Sequence, residues 1–459
     1  MSPTTTPPCQ PPIADPTTPF WRTELHDLDS FRSTAELPQE CDVIVVGCGF
    51  AGVSTAYHIL QDNDLPPSIV MLEARGACSG ASARNGGHVK PDVYYNILNY
   101  TKKYGVEAAA SFARFEAANV LAVKQLVEKE GIDCDFVLTR AVDAYLDAKH
   151  AKATEDAYRE LVAIGVADLG DVQLLHGENA EKISGIKDTK CCFSFTAAHL
   201  WPYKLVMGLL SKLVDQGVNL QTHTPVTGIS EMRDADGNWT VATDRGTIRS
   251  KKLILATNGY TAAISPQFHD KIVPVRGICS RIVAPDATKV SRLTNSYSIR
   301  YGQGIYDYMV PRLDGSIIIG GAKPRFWHDP KQWYGVTDDS KLIEPAKGYF
   351  DGLMQRHFNG WEESGAYTDM VWTGIMGWTT DFMPYVGEVP NKPGQLIIAG
   401  FSGHGMPLIC LASKAMADMV KGSRFEDTKL PFIFKPTMER LLSVENDILG
   451  LKVPTSSRL

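Results

Sequence analysis

The 459-residue chain has no apolar run of the roughly 18 residues that a bilayer-crossing helix needs, which argues against such a helix. It also lacks a basic excess. With 46 Lys and Arg against 52 Asp and Glu, the formal net charge is −6, so neither nucleic acid nor an anionic membrane is expected as a main partner. There is no Cys-x-x-Cys pair, and no metal centre is expected. The nine cysteines are odd in number. Cys191 and Cys192 are adjacent, where a bridge would be strained, so reduced thiols in an intracellular protein are expected, most of them as small buried hydrophobes. Residues 1–20 lack the basic start and apolar core of a signal peptide; being rich in Pro and Thr, they read as a disordered tail. No internal repeat is present.

What remains is an ordinary globular composition, 44% hydrophobic and 21% charged, in a chain too long for one core. Two domains are expected. The first strong signal starts at Cys41. Residues 42–46 form a β-branched apolar run of the kind buried in a parallel sheet. They lead into Gly47-Cys48-Gly49-Phe50-Ala51-Gly52, a GxGxxG, and then into a helical face with Ala56, Ile59 and Leu60. A second short strand ends at Glu73, 21 residues beyond Gly52. Each part has a physical task. Gly47 permits the tight turn, Gly49 lets a pyrophosphate approach the backbone, and Gly52 lets helix and strand pack closely. The helix start offers free N–H groups and a partial positive charge. Glu73 can accept bonds from ribose hydroxyls and would repel a 2′-phosphate, which disfavours NADP.

Almost at once comes "CSGASARNGGHVKPD", residues 78–92. It is rich in small residues and has no amphipathic pattern. From here the sequence resembles the D-amino-acid-oxidase-like family of FAD-dependent amine oxidoreductases, nearest its γ-glutamylputrescine oxidase and glycine oxidase branch. The likeness runs through residues 129–146, 213–229 and 251–264, and through "GIMGWTTDFMPYVG" (374–387) and "AGFSGHGMPLICLASKAMADMV" (399–420).

The resemblance implies an α/β fold in which a Rossmann-type FAD-binding domain (41–100, 200–265 and 368–430) is interleaved with an α+β substrate domain (101–199 and 266–367). A tail at 1–40 and a C-terminal segment at 431–459 flank them. Within the substrate domain an antiparallel sheet is expected, because 308–321 reads as two strands about a Leu-Asp-Gly turn. Residues 106–130 and 149–164 read as helices. The implied cofactor contacts are Gly47, Gly49, Phe50, Ala51 and Gly52 at the turn, and Glu73, Ala74 and Arg75 behind it. The loop adds Ser82, Ala83, Arg84, Asn85, Gly86 and Gly87, where the two glycines would clear space for the flavin ring. Val226 near the adenine, Ala256 and Thr257, and Gly403, His404, Gly405 and Met406 complete the set.

A single GxGxxG leaves no second nucleotide unit, so the substrate itself is expected to reduce the flavin. The implied reaction converts the C–N bond of an amine or amino acid to an imine, with O2 reduced to H2O2. Catalytic candidates are His88, Tyr308 and Arg312. Arg312 and Arg276 have the fork that suits a substrate carboxylate. Tyr306, Tyr308, Trp327, Trp372 and Trp378 are candidates for an apolar pocket. Residues 373–376 contain no cysteine for a covalent link, so FAD is expected to be non-covalent. Two alternatives stay open. One is a hydroxy-acid or amine dehydrogenase that passes electrons to a quinone; the other is a redox-silent binding protein that keeps the fold. The ending Ser457-Arg458-Leu459 is a variant of the Ser-Lys-Leu address, which points to a peroxisomal import receptor as a partner and to the peroxisome, otherwise the cytoplasm, as location.

Overall fold

The computed structural model describes residues 6–61, 65–166 and 169–451; Ser457-Arg458-Leu459 lies outside them. Two sheets organise the molecule. In the first, the strand Glu40–Val46 (β1) leads into the helix Phe50–Leu60 (α1) and the strand Ile69–Leu72 (β2). Residues 43–46 and all of β2 are buried, as parallel strands covered on both faces must be. β1 pairs in parallel with β2 on one side and with Gly246–Leu255 on the other. The sheet runs Tyr385–Glu388, Gln395–Ala399, Gly246–Leu255, β1, β2, Asn219–Gln221 and includes eight strands in all. Its parallel strands end together, so Gly47, Glu73 and Ala256 meet at one edge, where ligands of open α/β sheets bind.

The second sheet has nine strands. Its order is Tyr367–Thr379, Ile272–Val283, Ile317–Gly320, Ile305–Pro311, Ser296–Gly302, Val137–Tyr145, Cys191–His199 and His88–Val89. It is antiparallel except where Ser296–Gly302 runs parallel to Val137–Tyr145. The expected hairpin is Ile305–Pro311 with Ile317–Gly320, and Asp314 in its turn accepts from Ser316 N at 2.9 Å. Helices Val106–Glu130 and Ala148–Ile164 form where apolar spacing places them; left-handed Gly131 and Gly165 end them.

The strands of the second sheet do not follow the linear segments. His88–Val89 and all but the first residue of Tyr367–Thr379 fall in stretches assigned above to the cofactor domain, yet both pair into the second sheet. One hydrophobic core also joins the layers, with Val43 and Phe50 in the same cluster as Phe193, Val310 and Trp372. The disordered-tail expectation for residues 1–20 is corrected from residue 6 onward. Thr6, Phe20 and Trp21 are buried, and Thr17 N donates to Asp339 O at 2.8 Å. Proline-rich chain carries few N–H groups, so it can lie against a folded surface without a ladder to satisfy it.

Candidate active site

One cavity of about 1390 Å³ runs from the β1–α1 turn to the face of the second sheet. At the first end its wall is backbone. Gly47 has φ +104°, and a Cβ there would stand 2.7 Å from Ala256 O. A Cβ on Gly52 would fall 2.0 Å from Gly47 O, so helix and turn can touch only because position 52 has none. The N–H of Phe50 donates to Ser82 Oγ at 2.8 Å. The Glu73 carboxylate accepts from Cys48 N at 2.9 Å and from Arg75 N at 3.0 Å, which fixes it at the end of β2. Gly47, Gly49, Ala51, Glu73, Ala74, Arg75, Val226, Ala256 and Thr257 all line this end. Phe50 and Gly52 stand behind the wall.

The loop 78–92 follows. Ser82, Arg84, Asn85 and Gly86 line the cavity, whereas Ala83 and Gly87 do not. Most of its polar side chains are spent on the protein. Arg84 donates to Ser79 O, Thr373 O and Thr17 O at 2.7–2.8 Å, and burial pushes its guanidinium down to about 10 against the pull of Asp339. Arg75 pairs with Asp339 at 3.0 Å. Asn85 accepts from Gly87 N and donates to Ser82 O, closing its own loop. The reason given above for Gly87 is corrected, because it stands off the cavity that Gly86 lines. A Cβ on Gly86 would lie 2.7 Å from the Tyr308 ring, and one on Gly87 2.8 Å from Leu200 O. Both glycines make room for protein neighbours.

His88 is placed by the same crowding. Its Nδ1 is 2.7 Å from Ser296 Oγ, its Nε2 is buried without a partner, and its ring meets Tyr308 edge to face at 5.6 Å. Burial, then Lys90, holds its pKa well below the usual histidine range. His88 also lines the cavity, and its ring packs against that of Tyr308, which it helps to position. Tyr308 itself lines the cavity, with its hydroxyl 3.6 Å from Cys279 Sγ. Gly320, directly across the ladder, has no room for a Cβ beside that hydroxyl, at 2.4 Å.

Arg312 is corrected outright. It lies outside the cavity, bonded to Asp135 at 2.6 Å and surrounded by Phe20, Trp21 and Trp201. Arg276 is likewise outside, donating to Gln332 O. Of the aromatic candidates, Tyr306, Tyr308 and Trp378 line the cavity. Trp327 stacks on Trp333 at 3.7 Å, and Trp372 donates to Arg84 O. Gly403, His404, Gly405 and Met406 close the wall ahead of the helix Ile409–Val420. His404 Nε2 reaches Glu116 at 2.8 Å; burial alone would depress the imidazole, but the Glu116 carboxylate holds its pKa raised.

Sequence reasoning missed the most charged part of the wall. Lys90 donates to Asp143 at 2.5 Å and to Ser298 at 2.9 Å; Arg300 donates to the other oxygen of Asp143 at 3.0 Å. Asp143 is fully buried. Burial would raise its pKa, but Arg300 and Lys90 hold it well below the usual carboxylate range. All three line the cavity. Asp143 and Arg300 sit on strands that read as plain alternating segments, and only the parallel pairing of Ser298 with Asp143 brings them together. No spacing in the sequence signals it.

A cavity with a Cβ-free turn at a helix start, a carboxylate at the next strand end and a long aromatic lobe fits a dinucleotide and a second, smaller molecule. The comparisons agree. The model of the DAO family, described as FAD dependent oxidoreductase, matches residues 42–419. Gamma-glutamylputrescine oxidoreductase of Escherichia coli is 24% identical over 83% of this chain and 84% of its own. Glycine oxidase of Bacillus licheniformis is 23% identical over 83% and 93%. Both relatives are bacterial and lend no support to a peroxisomal address. Among solved structures, glycine oxidase from Geobacillus kaustophilus superposes with a TM-score of 0.68 at 20% identity, covering 87% of this chain and 99% of that one. Among the described residues no helix is long and apolar enough to cross a membrane. The chain belongs to the DAO family of FAD-dependent oxidoreductases.

Proposed function

We propose that this enzyme oxidises the C–N bond of an amine or amino acid to an imine, holds FAD non-covalently, and passes the electrons to O2 to give H2O2. As C=N forms, the substrate loses two electrons and two protons. Water then converts the imine to a carbonyl compound and the free amine, and O2 takes up two electrons and two protons. The names of the two relatives, an oxidoreductase of gamma-glutamylputrescine and an oxidase of glycine, support this substrate class. The observation that carries the reading is the continuity of one cavity from the GxGxxG turn to the Tyr306, Tyr308 and Trp378 wall.

FAD supplies the two-electron acceptor. The protein's part is to bind, orient and exclude water. In this reading Gly47, Gly49 and Ala51 receive the pyrophosphate, Glu73 the ribose and Val226 the adenine side. Arg75, Ser82, Arg84, Asn85, Gly86, Ala256, Thr257 and Gly403 to Met406 flank the rest, with Phe50, Gly52, Ala83 and Gly87 supporting from behind. Tyr308 offers its ring to the substrate, positioned by His88 and Gly320.

Three features support a non-covalent cofactor. Residues 373–376 lack cysteine. His88 has its Nδ1 engaged by Ser296 and its Nε2 buried. Burial, only partly offset by the bond to Tyr308, pushes the Cys279 thiol up to about 12, so it stays un-ionised. The test is a panel of amines and amino acids added to the yellow protein with and without air. Bleaching without air, followed by one peroxide per turnover on admission of air, is expected. Bleaching without peroxide would assign the dehydrogenase alternative. Acid precipitation should leave the yellow colour in the supernatant.

A further inference from the structure

We propose that Lys90 and Arg300 form a second recognition point that takes a carboxylate remote from the reacting C–N bond, so that the substrates are amines with an anionic tail. This rests on the amine-oxidation reading above. The observations concern position, charge and unused donors. Tyr308 pairs across the ladder with Ser298, and Ser298 with Asp143. The charged group therefore lies one to two strand spacings beyond Tyr308, about 5–10 Å. A substrate reaching both points must carry its anion several bonds from the carbon that Tyr308 faces.

Two cations here face one anion, which leaves an excess of one positive charge in a largely dry wall. Asp143 consumes Arg300 Nε and Nη2; Nη1 has no protein partner among the described residues. Arg300 is held rigidly for such a task, with its guanidinium 3.9 Å from the Tyr95 ring centre and 5.3 Å from that of Tyr306. Asp143 aligns both cations and offsets only one. The arginines suited by sequence to a carboxylate next to the reacting carbon, Arg276 and Arg312, are both turned away from the cavity. A third cation, Lys323, also lines the cavity but is not tied to Asp143; it lies 4.8 Å from the Trp327 ring, 5.2 Å from that of Tyr306 and 5.4 Å from that of Trp378, and serves as the control.

The test compares kcat/KM of the holoenzyme for 5-aminopentanoate against butylamine, for 6-aminohexanoate against pentylamine, and for glycine. The tailed member of each pair should win by about 10–100-fold, the value of a charge-assisted bond. Arg300→Met and Lys90→Met should each collapse that ratio about tenfold, and Arg300→Lys should recover part of it. A ratio near one, a preference for glycine, or a collapse confined to Lys323→Met overturns the proposal. Glutarate, which has no amine to oxidise, separates this proposal from the one beneath it. It should raise the melting temperature of the wild-type holoenzyme and not that of Arg300→Met. If it does so while every amine is inert, the amine-oxidation reading fails and the anion site stands. If glutarate stabilises neither protein, the anion site is wrong.

Discussion

The two ends of the cavity are built by different means. The nucleotide end is made by backbone: a turn, a helix start and strand ends, with glycine wherever chain meets chain. The substrate end is made by side chains standing on one face of a nine-stranded sheet and held by one another, as His88, Tyr308 and Cys279 are, or Lys90, Asp143 and Arg300. A backbone site tolerates little and is shared by all members of a fold. A side-chain site can be rewritten residue by residue, which is how one fold serves many substrates.

The sharpest way to break the contrast is at Gly52. A methyl group there would stand 2.0 Å from Gly47 O, and neither partner is a flexible side chain. Gly52→Ala should push α1 off its turn at a cost of about 3 kcal/mol or more. The protein should purify colourless, with a lowered melting temperature. A yellow variant with full flavin would show that the turn is not the cofactor's seat.

The substrate end is tested through Asp307, which lies between Tyr306 and Tyr308 but faces away from the cavity. It accepts from Ala322 N, Tyr349 OH and Tyr301 OH, and so anchors the strand from behind. Burial, partly opposed by those bonds, raises its carboxyl from 3.8 to about 6. The sign follows directly. Below pH 3.8 both folded and unfolded chains hold the proton. Between pH 3.8 and 6 only the folded chain does, so stability falls as pH rises and levels off above pH 6. The total is about 3 kcal/mol. Asp307→Asn should lack this slope when melting is compared at pH 4 and pH 7. An unchanged slope would place the titration elsewhere.

Glu73 sharpens the comparison, because it is a charged side chain in the wall of the nucleotide end. Glu73→Ala should weaken FAD by about 1.5–3 kcal/mol, read as a 10–100-fold rise in Kd by flavin fluorescence on dilution. Glu73→Gln keeps an acceptor for Cys48 N and should fall between the two. Equal Kd values in all three proteins would remove Glu73 from the site. This residue also marks how far the sequence could be read. The GxGxxG, Glu73 and the helices 106–130 and 149–164 were legible because their signals are local: fixed spacing, a glycine that only one geometry requires, one apolar face. The Lys90–Asp143–Arg300 group was not, because its members are 53 and 157 residues apart from Asp143 and meet only through strand register. Arg312 misled for the converse reason. Its local context, a turn beside a buried strand, looks the same whether the fork faces a substrate or Asp135.

The smallest effect concerns residues 6–20, where composition suggested a free tail. Thr6 Oγ1 lies 3.0 Å from Tyr334 OH, and Pro7 rests on Gly335. Pro11 and Pro12 line the cavity, and Ile13 O accepts from Arg75. The segment is thus a strap across the nucleotide end, fastened by a few side-chain bonds and almost no ladder. Thr6→Val keeps the shape and removes one bond. Tyr334 still accepts from Asn446 Nδ2 at 2.8 Å, and the loss of the one bond should be only about 0.5–1 kcal/mol. Global melting will barely register it. Local opening will, because the open population should rise about two- to fivefold, and proteolysis of a transiently open segment follows that population. Cleavage ahead of Trp21 should therefore accelerate by that factor in the variant. If the wild-type segment is already cut as fast as an unfolded peptide, the strap is not fastened, and the nucleotide end is closed by backbone alone.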